Sequence, residues 1–291
     1  MNQPMTRFVY IADTHWYADP MGYQQQPGFP EKLPEIYRVL DRKLSEWGVD
    51  LLVHGGDLVD AGTEENIVRA AKDTLLSAPA VLCLGNHDLT EQSSLAYWLR
   101  HAPRFFPGGE PVFTVDTPDC AIHVVPNHWC EQPYYWDRYL EPAFSADQIA
   151  RIRDRVAARP YACHVLVTHT PALPVPVEQT GFDDPYHCPP EPARTQLEEL
   201  IGDLPSIRCV LGAHSHINTC GRIGETPCVT VSSLAEVPFE CKVFEIDPDG
   251  IRMVTRPLAG ELDLGTVYNF DRTYVQGRPA DRGFELTLGA K

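Results

Sequence analysis

Short apolar runs alternate along the chain with longer amphipathic stretches, and five of the short runs end in the same way. Arg7 to Ala12 runs into Asp13-Thr14-His15, Asp50 to His54 into Gly55-Gly56-Asp57, and Ala80 to Leu84 into Gly85-Asn86-His87-Asp88. His164 to Thr168 runs into His169, and Arg208 to Leu211 into Gly212-Ala213-His214-Ser215-His216. Runs of four to six residues are short for helices and predict buried strands. Asp, Asn and His therefore stand at the C-terminal ends of strands, the edge at which an open α/β sheet binds ligands. One such ending could equally be an Asx turn closing a strand. Five in one chain have no packing reason, because a core does not select ligand-type side chains.

The stretches between these runs predict the layout. Leu33 to Trp47 has Ile36, Val39, Leu40 and Leu44 on one helical face and Gly48 as its stop, and Glu64 to Leu76 reads as a second helix capped by Thr63. Strand, helix, strand, helix, strand is the order of parallel βαβ units. Further on, Leu89 to Arg100, Ala146 to Ala158 with Ser145 as its cap, and Thr195 to Ile201 read as helices. Val112 to Val115 and Cys120 to Val125 read as paired strands. Val229 to Val231, Lys242 to Ile246 and Ile251 to Val254 read as a closing antiparallel set with a turn at Pro248-Asp249-Gly250. Asp19 to Pro30 and the proline-rich Pro171 to Pro192 are long loops, each a connection or a lid. Asn127 to Pro142 gathers Trp129, Tyr134, Tyr135, Trp136 and Tyr139, either a hydrophobic plug or the wall of a substrate pocket. With no internal repeat and no Gly/Ser linker, residues 1–255 read as one catalytic domain. Residues 256–291 read as a mostly irregular C-terminal extension packed on it or trailing from it.

Composition narrows the function. An apolar share of 43% against 22% charged residues describes a globular chain with ample core. A formal charge of -16 repels a polyanion, so nucleic acid is an unlikely partner. Nine cysteines without a Cys-x-x-Cys pair, and a Met1 to Arg7 segment without a signal-peptide core, predict a reduced, cytoplasmic protein. No apolar run approaches a membrane span, so no membrane partner is expected. The sequence carries no signal for an oligomeric state.

Asp13, His15, Asp57, Asn86, His169, His214 and His216 are seven oxygen and nitrogen donors suited to borderline divalent ions. Seven exceed one tetrahedral ion, whereas two ions sharing a bridging carboxylate would use them all. Asp13-x-His15, Gly56-Asp57, Gly85-Asn86-His87-Asp88, His169 and His214-x-His216 resemble, in order, the five motifs of the calcineurin-like metallophosphoesterases. The resemblance runs from the first strand to about residue 246; Ala213 departs from it, since the family usually has Gly before the first His of the closing pair.

This resemblance implies an α/β fold, a four-layer αββα sandwich of mixed sheets with the metal site at the C-terminal ends of the strands. It implies two divalent or mixed-valence transition-metal ions, Mn, Fe or Zn. One would be held by Asp13, His15, Asp57 and His216, the other by Asp57, Asn86, His169 and His214. His87 would act as the catalytic proton or hydrogen-bond donor to the leaving oxygen, with Asp88 orienting it. The expected activity is hydrolysis of a small phosphate ester by a metal-activated water or hydroxide. Diesters are slightly favoured, through a general resemblance to bacterial cyclic-nucleotide and glycerophosphodiester phosphodiesterases. Those relatives often place Asp and a basic residue where Leu89-Thr90 stand here. A nuclease is the alternative that the charge disfavours, and a non-catalytic scaffold is the alternative that the intact ligand set disfavours.

His54, His123 and His164 lie inside strand-like runs and read as core or edge residues, while Asn127-His128 could support a ligand or touch substrate. Asp60 stands where the resembling purple acid phosphatases carry a metal-bound Tyr, so no tyrosinate colour is expected.

Overall fold

The apolar runs do become strands. The structure, a computed structural model, describes residues 5–19, 24–129, 132, 134–137, 141–159, 161, 163–264 and 268–288. Tyr139 of the aromatic loop lies outside these residues. The chain opens with β1 (Thr6–Ile11), α1 (Leu33–Trp47), β2 (Leu51–His54), α2 (Glu64–Asp73), β3 (Ala80–Leu82) and α3 (Ser94–His101). It continues through β4 (Phe113–Asp116), β5 (Ala121–Val124), α4 (Ala146–Ala157), β6 (His164–Val167), α5 (Val177–Thr180), α6 (Glu191–Asp203) and β7 (Ile207–Gly212). It closes with β8 (Thr219–Ile223), β9 (Thr226–Thr230), β10 (Glu240–Ile246), β11 (Gly250–Pro257) and β12 (Gly283–Thr287).

Two mixed sheets result, ordered β12-β11-β10-β1-β2-β3 and β4-β5-β6-β7-β9-β8. β1, β2 and β3 run parallel, as the early βαβ pattern requires, and β10 joins β1 antiparallel. In the second sheet β5, β6, β7 and β9 run parallel. The apolar residues of β1, β2, β5, β6, β7 and β10 share one buried core with α1 and α2. A second core joins Ile152 and Val156 of α4 and Leu197 and Leu200 of α6 to Leu166 and Val210. Helices, sheet, sheet and helices are the four layers. Tyr10, fully buried on β1, donates its hydroxyl to the carbonyl of Gly212 at the end of β7, 2.9 Å away, and so ties the sheets together beside the strand ends.

Local chemistry explains the boundaries. Gly48 takes the left-handed φ of 62° that ends α1. The Thr63 hydroxyl accepts from Asn66 N at the start of α2, and Ser145 and Gln148 form a capping box on α4. Several elements differ from the pattern. The helix expected over Leu89 to Arg100 is a 3-10 turn at His87–Leu89 followed by α3, because the Ser94 hydroxyl accepts from Glu91 N and turns the chain first. α6 starts at Glu191 rather than Thr195, since Pro192 sits in the first turn, where the missing N–H costs nothing. Pro171 to Pro192 contains the short α5 and a bridge between Val175 and Tyr186. The tail beyond Arg256, expected to be mostly irregular, supplies the edge strand β12, paired with β11 through Ile251 and Leu286. No helix among the described residues is long and apolar enough to cross a membrane.

Behind β12, the buried carboxylate of Glu240 on β10 pairs with Arg282 and accepts from Asn218 Nδ2. Removing one partner of a buried pair leaves an uncompensated charge, so Arg282→Met should lower the unfolding free energy by about 2–4 kcal/mol. Glu240→Gln combined with Arg282→Met should recover part of that loss. Urea denaturation of both variants decides it, and equal stability of the two would contradict the pairing.

Candidate metal centre

The residues following the strands converge because their backbone is bent in an uncommon way. Asp13, His15, Asp57, His214 and His216 have φ of 53°, 46°, 52°, 66° and 57°, a left-handed region that non-glycine residues rarely occupy. Such strain persists only where neighbours enforce it. Asp13 N and His15 N donate to the carbonyls of Gly56 and Asp57 at 2.9 and 3.0 Å, and His214 N donates to the Asp13 carboxylate. Glycine is required where the loops meet. A Cβ on Gly85 would lie 2.2 Å from Asp57 Oδ1, and one on Gly56 would lie 2.3 Å from His169 Nδ1.

Three groups of ligand atoms form at this meeting point, the atoms of each within 4.8 Å of one another. Asp13, His15 and His216 offer one set, Asp57, His169 and His214 another, and His15, Asp57 and His87 a third that shares residues with both. Asn86 Oδ1 lies 3.1 Å from both His169 Nε2 and His214 Nδ1, so it belongs with the second set. Asp57 Oδ2 is 3.2 Å from His169 Nε2 and 3.9 Å from His15 Nε2, so one carboxylate faces both sets. Imidazole nitrogens with carboxylate and amide oxygens are the donors of a borderline divalent transition metal, and the residues present fit two such ions.

The electrostatics follow from burial and charge. Burial opposes ionisation of Asp57, but His169, His87 and His15 outweigh it and hold the carboxyl well below the usual range. Burial raises Asp13 to about 6 against the pull of His216 and His169. Burial disfavours protonated rings, yet Asp57 overrides it at His169 and Glu236 with Asp13 override it at His216, both raised to about 9. At His15 burial outweighs the pull of Asp60 and Asp57 and lowers the ring to about 4, and at His214 burial together with His169 outweighs Asp57 and lowers the ring to about 3.

His87 is turned toward this cluster. Its backbone N donates to Asp57 Oδ1 at 2.8 Å, its Nδ1 lies 2.7 Å from the Asp60 carbonyl oxygen, and its ring meets that of His15 edge-on at 4.7 Å. The expectation that Asp88 orients His87 needs correction. Asp88 is fully buried, and its Oδ1 accepts from the amides of Leu58 and Val59 while Oδ2 accepts from Gly85. Its lone pairs are spent on fixing the β2 and β3 loops to each other, and Asp60 takes its place beside the His87 ring. Burial first, then Asp57, pushes the Asp88 carboxyl up to about 8.

The supporting roles of Glu236 and Asp60 are not visible in the sequence, whereas Asn127 belongs to the Asn127-His128 pair expected to support a ligand or touch substrate. Glu236 hydrogen-bonds His216 Nδ1, and nothing in the motif spacing marks it. Asp60 Oδ1 is 3.6 Å from both His15 Nδ1 and His87 Nδ1. Asn127 Oδ1 accepts from Thr168 Oγ1 and Thr170 N, both at 2.8 Å, bracketing His169, so Asn127 rather than His128 supports a ligand. Trp129 stands 5.6 Å from the His214 ring and Trp136 5.0 Å from the His87 ring, so the aromatic loop borders the cluster. His54, His123 and His164 are buried in the sheets.

The family model described as calcineurin-like phosphoesterase matches residues 6–218. The chain belongs to the calcineurin-like phosphoesterase family. It is accordingly a phosphoric ester hydrolase, and family membership implies a dinuclear divalent metal centre acting on a small phosphate ester. A dimetal phosphatase from Danio rerio shares 14% identity, covers 99% of this chain and 100% of its own, and superposes with a TM-score of 0.66. A purple acid phosphatase from yellow lupin seeds shares 13% identity over 99% of this chain and 58% of its own, with a TM-score of 0.60. A Plasmodium protein described as the anchor in the inner membrane complex shares 11% identity over 91% and 89%, with a TM-score of 0.62. These likenesses speak for the fold alone. No curated protein matches the sequence.

Metal ligands must be deprotonated, while the rings of His169 and His216 hold protons at neutral pH. Metal binding should therefore release about two protons per chain at pH 7, falling toward none as pH passes about 9, and affinity should rise over the same interval. Calorimetry in buffers of different ionisation enthalpy measures this directly. Binding at pH 7 without proton release would contradict the assignment of these two rings.

Proposed function

We propose that this phosphoesterase hydrolyses a small phosphodiester at two transition-metal ions, manganese, iron or zinc. Asp13, His15, Asp57 and His216 hold one ion, and Asp57, Asn86, His169 and His214 hold the other. The observation that carries this reading is the Asp57 carboxylate facing both ligand sets, 3.2 Å from His169 Nε2 and 3.9 Å from His15 Nε2. When bound, the ions supply Lewis-acid charge that activates a water and neutralises the phosphoryl group.

The protein's own residues do the remainder. The His87 ring, whose Nδ1 lies 2.7 Å from the Asp60 carbonyl oxygen, serves as the hydrogen-bond or proton donor to the leaving oxygen. Asp88 holds the loops after β2 and β3 together, so that Asp57 and Asn86 keep their separation. Trp129 and Trp136 wall the cluster and exclude water from one side of the reacting group. A diester carries a single negative charge at phosphorus where a monoester carries up to two, and the net charge of -16 favours the less charged substrate. The same charge works against a nucleic-acid backbone.

A metal-dependent screen of model diesters, monoesters and nucleotides tests the substrate class, and faster turnover of monoesters would overturn the diester reading. His87→Ala should keep both ions yet slow hydrolysis by roughly 10²- to 10⁴-fold. The loss should shrink with activated esters, since a nitrophenolate leaves without a proton and an alkoxide does not. Rates across esters of graded leaving-group acidity decide this. A uniform loss, or release of an ion from the variant, would assign the ring to the metals or the attacking water.

A further inference from the structure

The family match ends at residue 218, yet the side chain that holds His216 comes from beyond it. Glu236 is 1% exposed, and its carboxylate works in two directions. Oε1 hydrogen-bonds His216 Nδ1, while Oε2 accepts from the backbone amides of Gln25 and Gln26 at 3.0 and 2.7 Å. With Nδ1 engaged, the Nε2 of His216 is the atom left to face His15 Nε2, 3.2 Å away. An imidazole fixed by a carboxylate on one nitrogen presents the other in a set direction and with raised basicity.

The two glutamines are themselves tied to the C-terminal tail. Gln26 Nε2 donates to the carbonyls of Asn269 and Arg272 at 3.1 and 3.0 Å, and Gln26 Oε1 accepts from Asn269 N at 2.9 Å. Arg272 donates in return to the carbonyls of Gln24 and Gln25 at 2.8 and 3.1 Å. A second route leads to the same place: Asn218, two residues after His216, donates its N–H to the Val275 carbonyl at 2.9 Å. Gln25, Arg272 and Tyr274 also line a cavity of about 530 Å³ with Tyr186. Its neighbour His187 stands 6.4 Å, ring to ring, from His214.

We propose that Glu236 is a positioning residue for His216, and that through it the strap of Gln25–Gln26 and Asn269–Tyr274 is ordered by occupation of the metal site. The proposal rests on the two-ion reading above. It gives the C-terminal segment a part in the centre that its lack of ligands conceals. Glu236 touches neither substrate nor reacting atoms; it acts through the direction of one ring and through the amides that the strap presents.

Glu236→Gln keeps the shape but cannot accept at both ends as a carboxylate does. Titrated with Mn²⁺, the full-length variant should show one of its two sites weakened by roughly 10- to 100-fold and the other unchanged. Turnover should return toward the wild-type rate at saturating Mn²⁺, a recovery that damage to the fold would not give. Hydrogen exchange on the wild-type protein supplies a readout free of any variant: the amides of Gln25 and Gln26 and of residues 269–274 should slow when Mn²⁺ is added. Two wild-type affinities in Glu236→Gln, or exchange in the strap that ignores Mn²⁺, would overturn the proposal while leaving the phosphoesterase reading intact. A wild-type protein that binds no metal would overturn both.

Discussion

The carboxylate of Asp57 is the contact on which the arrangement turns. It lies where the ends of strands from both sheets meet, accepts the His87 amide through Oδ1 and faces His169 and His15 through Oδ2. A charge this deeply buried is tolerable only among partners that neutralise it. The surrounding imidazoles do so, and a pair of cations would do so more completely. Much of the local architecture serves this point. Gly56 and Gly85 clear the space, the left-handed turns aim the ligands, and Tyr10 draws the end of β7 toward β1.

The fold was legible where one residue type settles local structure. Gly48 ends α1, Thr63 and Ser145 start α2 and α4, and the apolar runs become the strands that carry Asp13, Asp57, Asn86, His169 and His214. β8 and β12 escaped notice because an edge strand buries little and need not alternate: Gly221-Arg222 and Glu285 interrupt any apolar pattern. α3 and α6 were misplaced because side-chain hydrogen bonds and a tolerated proline override periodicity at helix ends.

The site was legible only as far as its ligand types. Side chains that could bind a metal can be recognised one at a time, whereas those that hold them cannot. Glu236 and Asn127 act through contacts that join separate parts of the chain, and Asp60, though close to Asp57 in sequence, acts on His15 and His87. The role expected of Asp88 failed for the same reason, since adjacency to His87 in sequence does not aim a carboxylate at its ring, and Asp88 serves backbone amides instead. A fold does not carry its chemistry with it. Here the converging ligand atoms and family membership carry the chemistry.

The central claim is that two ions share Asp57. Crystals grown with Mn²⁺ and measured at the manganese absorption edge would test it most directly. Two ions sharing Asp57 would give two anomalous peaks about 3.5–4 Å apart with its carboxylate between them, one beside His15 and His216 and the other beside His169 and His214. A single peak, or two peaks of which one does not touch Asp57, would contradict it.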